Sequence, residues 1–333
     1  MRAVQMTAVG GPEVLEAVEI PEPQITSPTQ IKVRLRGAGV NPIDTKIRSR
    51  GLFYDAEPPA VLGCDGAGEV VETGSEVDRF TVGDRVWFCH GGLGREPGNY
   101  AEYTVLEQAE AERMPESTDF HHAAGGPLVL ITAWEALFDQ ARLGASETVL
   151  IQAGAGGVGH VAIQLAKARG ARVLATAGSE EGLALCHELG ADTVIDYRAG
   201  TVSEQVLAQT GGRGVDVCLE SVGPDVFRDS ITAMAPYGRL VTLLDPGLEL
   251  DLSQARTKNL IIAFTLMLTP MLMDLRAPRL HHGEILRECA ALIDSGRLHL
   301  HLADVLPLAQ AGEAHQRIQQ DHVHGKLVLD PTT

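Results

Sequence analysis

The stretch Val149-Leu150-Ile151-Gln152-Ala153-Gly154-Ala155-Gly156-Gly157-Val158-Gly159-His160 decides how this chain is read. Its aliphatic start makes a short buried strand, a glycine-rich turn follows, and Ile163, Leu165 and Ala166 mark the apolar face of a helix ending near Gly170. Gly154, Gly156 and Gly159 stand in G-x-G-x-x-G order at the junction, with Ala155, Gly157 and Val158 between them. In that order the first glycine allows a tight turn, the second lets backbone approach a pyrophosphate, and the third lets helix pack close on strand. The helix start then offers free N–H groups and a positive dipole end to the phosphates. A flexible loop before a helix is the alternative. The strand before the motif and the alternation after it favour a dinucleotide site.

Downstream, strand and helix patterns alternate. Strands are expected at residues 171–176, 193–195, 215–219, 240–243 and 260–264, with a helix at 180–189 ended by Gly190. This order predicts an α/β fold with a doubly wound parallel sheet that binds ligands across the carboxyl ends of its strands. Where NAD-binding folds carry an Asp or Glu, at the end of the second strand, this chain has Ala177-Gly178-Ser179. No carboxylate then stands against a 2′-phosphate, and Ser179 can donate to one. Glu180 and Glu181 bring negative charge nearby, which also suits a helix N-terminus. The expected coenzyme is NADP(H) rather than NAD(H).

Upstream, residues 1–116 are rich in Gly, Pro and short alternating runs, which reads as a β-rich unit. Ile31, Val33 and Leu35 alternate with Lys32, Arg34 and Arg36, one face inward and one wet. The strand ends at Gly37-Ala38-Gly39-Val40, Asn41-Pro42 opens a turn or helix reaching Arg50, and a helix over 118–141 is broken or restarted by Pro127. The tail predicts an amphipathic helix at 283–295, a strand-like run at 298–302, a helix at 309–319 and a last strand at 325–329 returning to the first domain.

A chain of 333 residues has room for about two domains. A net charge of −17 argues against nucleic acid or an anionic membrane as partner. Five scattered cysteines without C-x-x-C spacing suggest free thiols in a reducing compartment. The N-terminus lacks the apolar run of a signal peptide, and the apolar stretch 260–275 is short for a membrane span and interrupted by Pro270. A cytoplasmic protein is expected.

Several motifs occur in one order: Asn41-Pro42-Ile43-Asp44 with Arg48, Gly63-x-Asp65-Gly66-Ala67-Gly68, Gly83-Asp84-Arg85-Val86, Thr132-Ala133-Trp134 and the glycine turn. Together they resemble the medium-chain dehydrogenase/reductase superfamily, in its zinc-independent quinone oxidoreductase branch, out to Gly325-Lys326-Leu327-Val328-Leu329. The resemblance implies a GroES-like catalytic domain over residues 1–122 and 270–333, and a Rossmann NADP(H)-binding domain over 123–269. It implies that Tyr197 and Arg198 close over the 2′-phosphate, although the Lys common in the helix turn after the second strand is Gly182 here. It places Ser221, Val222, Gly223, Leu243, Leu244, Phe264 and Lys326 along the coenzyme. Without it, these residues read as a strand-end turn, core side chains and a solvated lysine.

Zinc-dependent relatives place a Cys soon after the first strand, a His-Glu pair in the second glycine motif and a four-Cys lobe. Here residues 39–46 hold no Cys, the pair is Cys64-Asp65, and residues 91–113 hold no Cys. Cys64, Asp65, Cys89 and His90 form a conceivable mixed ligand set, with a half-buried Cys64 and a loop pair at 89–90 as the alternative. The pairs His121-His122, His281-His282, His299 with His301 and His322 with His324 read as surface histidines, although the i,i+2 pairs would face one way on a strand. No metal is expected.

For the chemistry, the resemblance nominates Asn41 to hydrogen-bond a substrate carbonyl and Thr132 to contact the nicotinamide. A helix cap and a buried helix hydroxyl are the structural alternatives. Lys46 stands where quinone oxidoreductases commonly have Tyr. Facing a substrate it would donate to a developing oxyanion, and facing water it would be a solvated residue. Asp44 and Arg48 are spaced for an intrahelix ion pair. Leu266-Met267-Leu268-Thr269-Pro270-Met271-Leu272-Met273 suggests a hydrophobic substrate wall or dimer cover, or else a packed core. The expected activity is hydride transfer from NADPH to a quinone or other α,β-unsaturated carbonyl compound by a homodimer. Its rivals are a zinc alcohol dehydrogenase and a NADPH-binding protein with little turnover.

Overall fold

The computed structural model describes residues 1–247, 249–320 and 323–333. The chain divides into two compact units, one of Met1–Leu128, Leu268–Gly296 and Leu300–Thr333, the other of Val129–Met267 and Arg297–His299.

In the second unit six parallel strands form one sheet, in the order Thr193–Asp196, Arg172–Ala177, Thr148–Ile151, Val215–Glu220, Met234–Thr242 and Ile261–Phe264. Counted along the chain this is 3-2-1-4-5-6, the doubly wound order with its reversal between Thr148–Ile151 and Val215–Glu220. The central strands are buried on both faces because helices cover them, which is why they read as unbroken apolar runs. Leu150, Leu174, Cys218, Phe227, Ile231 and Leu240 share one core cluster with almost no exposure. Gly170, at φ +89, takes the left-handed conformation that stops the helix Gly157–Arg169.

The first unit is β-rich. The long strand Gln30–Val40 pairs with Asp65–Thr73, Tyr103–Glu107 and the last strand, Lys326–Asp330. The return of the tail to this sheet is antiparallel, with Leu327 opposite Val40 and Leu329 opposite Ala38. Gly37 and Gly39 lie inside the long strand, where an added Cβ would come within 2.8 Å of the Ala124 Cβ and 2.4 Å of the Ala124 carbonyl oxygen respectively. Their bare backbone lets the helix Phe120–Ala124 lie on the sheet.

Several local expectations need correction. Lys32 is buried, because its ammonium pairs with Glu22 and sits 5.7 Å from the centre of the Tyr103 ring. The region 118–141 is three pieces, Phe120–Ala124, Pro127–Trp134 and a π-helical Glu135–Gln140, with Pro127 restarting the helix. The amphipathic helix begins earlier than 283, at Arg276, and runs to Asp294. Residues 298–302 do not form the expected strand, which is Leu302–Pro307 instead. Here the His299 backbone is held by a side chain: its N–H donates to Gln164 Oε1 at 2.8 Å, and its carbonyl accepts from Gln164 Nε2 at 2.9 Å. His299 and His301 therefore share no strand, and His322 lies outside the described residues. In the apolar stretch, Met267 and Leu268 are core, whereas Leu266 and Met273 are exposed.

Candidate functional site

At the glycine turn the backbone explains two of the three glycines internally. A Cβ on Gly159 would lie 2.2 Å from the Ala153 carbonyl oxygen and 2.7 Å from the Gly154 Cα, and one on Gly154 would lie 2.8 Å from Cys186 Sγ. Gly156 is different. Its nearest obstacle is the Ala153 oxygen at 3.2 Å, its φ of −78° is open to any residue, and it caps the thirteen-residue helix Gly157–Arg169. The room beside it is what a pyrophosphate needs, and the first N–H groups of the helix have no intrahelical acceptor. Ala155 is buried, while Gly157 and Val158 are partly exposed along the first turn.

The turn is braced from below. Ala153, at φ +50, donates its N–H to Thr176 Oγ1 at 3.0 Å, and Thr176 donates to Gln152 Oε1 at 2.8 Å. Gln152 Nε2 donates to Ser230 Oγ at 3.1 Å. On the far side of the sheet reversal, buried Glu220 accepts from the Val222 and Gly223 N–H groups at 2.5 and 2.7 Å, and from Thr242 Oγ1 at 2.7 Å. This carboxylate shapes the loop carrying Ser221, Val222 and Gly223. Val222 is half exposed, and a Cβ on Gly223 would meet nothing within 4 Å. Leu243 and Leu244 follow the fifth strand, both partly buried, with the Leu244 N–H on Thr242 Oγ1. Phe264 is 60% exposed on the edge strand. Thr132 is buried in the helix Pro127–Trp134. The open cradle at Gly156 and the glycine loop at Gly223 fit a dinucleotide.

Ser179 caps the next helix, its Oγ accepting from the Gly182 N–H at 3.0 Å. Tyr197 lies over Gly178, where an added Cβ would be 2.1 Å from the ring Cζ. Arg198 is gripped by Asp196, through Nε to Oδ1 and Nη2 to Oδ2, each at 3.0 Å.

In the first unit a polar cluster is buried where the long strand ends. Asn41, Asp44, Asp65, Tyr100 and Lys326 are all 3% exposed or less. Lys326 Nζ donates to the Val40 carbonyl at 2.8 Å and to Asn41 Oδ1, and Asn41 Nδ2 donates to Asp65 Oδ2 at 2.9 Å. Asp65 Oδ1 accepts from the Leu128 N–H at 2.8 Å. Asp44 Oδ2 takes the Asn41 N–H at 2.8 Å and the Tyr100 hydroxyl at 2.9 Å, and the same hydroxyl is 3.1 Å from His315 Nε2. The expected ion pair of Asp44 with Arg48 is therefore not formed. Asp44 is drawn inward by these donors, and Arg48 Nη2 donates to Gln319 Oε1 at 2.9 Å. Burial pushes the carboxyls of Asp44 and Asp65 up, to about 7 and about 6, against the lowering effect of their hydrogen bonds and Lys326. Burial likewise lowers Lys326, with both carboxylates opposing, and takes His315 down to about 3. Lys46 is half buried, and desolvation followed by the Arg50 charge lowers its ammonium.

The mixed thiol set does not fit zinc. Among the described residues no group of three or more His, Cys, Asp or Glu could hold a metal. His90 Nδ1 is 2.6 Å from Glu110, both Asp65 oxygens are engaged, and a buried ammonium stands in the cluster. Cys64 is fully buried, its thiol pushed up by the Cys89 hydrogen bond and then by burial.

The chain as a whole has clear counterparts among known proteins. Residues 27–116 match the alcohol dehydrogenase GroES-like domain family, and residues 189–329 match the zinc-binding dehydrogenase family. The quinone oxidoreductase of Pseudomonas aeruginosa is 35% identical over 99% of both chains. This chain belongs to the medium-chain dehydrogenase/reductase superfamily, in its quinone oxidoreductase-like branch. Among solved structures, an alcohol dehydrogenase superfamily protein from Novosphingobium aromaticivorans superposes with a TM-score of 0.92 at 35% identity, covering 99% of each chain. The Escherichia coli quinone oxidoreductase complexed with NADPH gives 0.87 at 30% identity, covering 99% of this chain and 100% of that one. As a medium-chain dehydrogenase/reductase the protein is an oxidoreductase with GroES-like and Rossmann parts.

Sequence reasoning named Asn41 and Lys326 separately and missed both their direct hydrogen bond and the buried Asp65 that holds the other end of the Asn41 amide. It also missed Glu220 and Asp196. A carboxylate closing the apolar run Val215–Glu220 just before Ser221-Val222-Gly223 was the available signal for the first, and its nearness to Arg198 was the signal for the second.

Proposed function

We propose that this protein reduces a quinone or another α,β-unsaturated carbonyl compound with NADPH, without zinc. The observation that carries the reading is Gly156, open at a helix start beside the sheet reversal. Bound there, NADPH supplies a hydride. The chain's own residues hold and orient it: Gly154, Gly156 and Gly159 shape the turn, Glu220 fixes the Ser221–Gly223 backbone, and Tyr197 covers Gly178, where the second strand ends without a carboxylate. Thr132 is assigned to the nicotinamide side.

In the first unit, Asn41 is assigned to the acceptor carbonyl and Lys326 to its support. The ammonium on Asn41 Oδ1 polarises the amide, which makes the Nδ2 hydrogen not taken by Asp65 a stronger donor to developing negative charge. Lys46 adds a second donor. The donor set described above does not suit a zinc ion, which favours conjugate reduction over simple alcohol oxidation, where a Lewis acid is the usual aid.

The edge strand Ile261–Phe264 leaves Ile261 and Phe264 exposed at 58% and 60%, and we assign it to a homodimer contact. All five cysteines are free, which suits a cytoplasmic setting, and among the described residues no helix is long and apolar enough to cross a membrane.

The test is NADPH oxidation followed by absorbance against 1,2- and 1,4-quinones, enones and enoyl thioesters, with metal analysis of the same protein. Turnover of one class by zinc-free enzyme supports the reading. Nucleotide binding without turnover of any class, or activity that needs a stoichiometric metal, overturns it.

A further inference from the structure

In the second unit, the second strand ends at Ala177 and the third at Asp196, and these two residues are register partners. The tip that lacks a carboxylate of its own therefore has one on the neighbouring strand. Asp196 is not idle there. Its Oδ1 accepts from the Arg198 N–H at 2.9 Å and from Arg198 Nε at 3.0 Å, and its Oδ2 accepts from Nη2 at 3.0 Å. This fork-to-carboxylate grip is the geometry in which a guanidinium binds phosphate. Between the two charged residues Tyr197 folds over Gly178, so the grip sits beside the position assigned to the adenosine end of the coenzyme.

We infer that Asp196 sets the coenzyme preference of this protein by holding Arg198 in competition with a 2′-phosphate. The inference rests on the coenzyme reading given above. A phosphate at the strand tip must draw the Arg198 fork away from an existing carboxylate partner, and it meets the negative charge of Asp196, Glu180 and Glu181 as it does so. A 2′-hydroxyl meets neither obstacle. The discrimination of NADPH over NADH is accordingly smaller than a free arginine would give, and Asp196 is the residue that limits it. Arg198 is 56% exposed in its side chain and Asp196 28%, so exchange between the two partners requires no rearrangement of the core.

The experiment is calorimetric titration of the full-length wild type, Asp196→Asn, Asp196→Ser and Arg198→Ala with NADPH and NADH, and with 2′,5′-ADP and 5′-AMP as probes of the adenosine end. Thermal melts check that each variant is folded. Freeing the guanidinium should raise the ratio of NADPH to NADH affinity roughly tenfold in both Asp196 variants, the range of one hydrogen bond to a charged group. Arg198→Ala should lower the same ratio below that of wild type. An unchanged ratio in both Asp196 variants overturns the inference, and so does an Arg198→Ala variant that keeps the wild-type ratio. In either case the coenzyme reading stands if the wild type binds NADPH. A wild type that binds neither nucleotide overturns both.

Discussion

Asp65 fixes the orientation of the Asn41 amide: Oδ2 accepts from Asn41 Nδ2 at 2.9 Å, which leaves Asn41 Oδ1 turned toward Lys326 Nζ. A reversed amide would set its NH2 group against an ammonium, so the carboxylate selects one of two otherwise similar rotamers. Removing the carboxylate while keeping its shape should disturb catalysis more than coenzyme binding. For Asp65→Asn we expect kcat on a quinone or enone to fall about tenfold or more, with NADPH affinity within about twofold of wild type. Asn41→Ala should cost at least as much. Steady-state kinetics beside a direct binding titration check both, and a variant with full kcat would remove Asn41 from its assigned role.

The glycine turn separates fold from ligand. Gly159→Ala sets a methyl group 2.2 Å from a backbone oxygen, so we expect a stability loss of about 2 kcal/mol or more, seen as a lowered Tm. Gly156→Ala sets its Cβ 3.2 Å from the Ala153 oxygen, a close contact but far milder than the one at Gly159. It should change Tm little while weakening NADPH binding by about tenfold or more, because the side chain occupies the space assigned to the pyrophosphate. Equal effects of the two substitutions on Tm would count against that division.

Glu220→Ala removes three hydrogen bonds from one buried carboxylate and leaves the Val222 and Gly223 N–H groups without an acceptor. We expect a loss of about 2–3 kcal/mol in denaturant unfolding. Weaker coenzyme binding should follow from a loosened 221–223 loop. The isosteric Glu220→Gln keeps one acceptor oxygen and should recover part of both.

Asp44 gives a pH signature. Its carboxyl lies at about 7 in the folded chain against an ordinary 3.8, raised chiefly by burial. Between those values the folded state holds a proton that the unfolded chain has released, so this group's contribution to stability falls as pH rises through the window. Below about 4 both states are protonated, and well above 7 both are ionised. Asp44→Asn lacks the titration. The stability of wild type relative to Asp44→Asn should therefore decline from pH 4 to pH 8 and then level off. A difference that is flat with pH would place the Asp44 carboxyl near its ordinary value.

The coenzyme half was legible because its signals are local. Aliphatic runs of strand length, a glycine turn and Gly170 each act over a few residues, and their order along the chain fixes a parallel topology. The first unit was less so. The contact of Lys326 with Asn41 joins residues at opposite ends of the chain, and no periodicity announces it. Asp44 shows the same limit. Helical spacing offered Arg48 as its partner, yet the Asn41 N–H at the start of the same helix and the Tyr100 hydroxyl, brought by a distant segment, outcompeted it. Residues 298–302 look like a strand in sequence, and only the Gln164 side chain explains why they are not one.

The Tyr197 ring resting on Gly178 couples these two positions in descent. Any residue with a side chain at 178 collides with the ring, at 2.1 Å for a bare Cβ, so an acidic group cannot appear at this strand tip while the aromatic keeps its place. A side chain at 178 therefore requires the half-exposed Tyr197 ring to swing outward, which uncovers the strand tip it now shields.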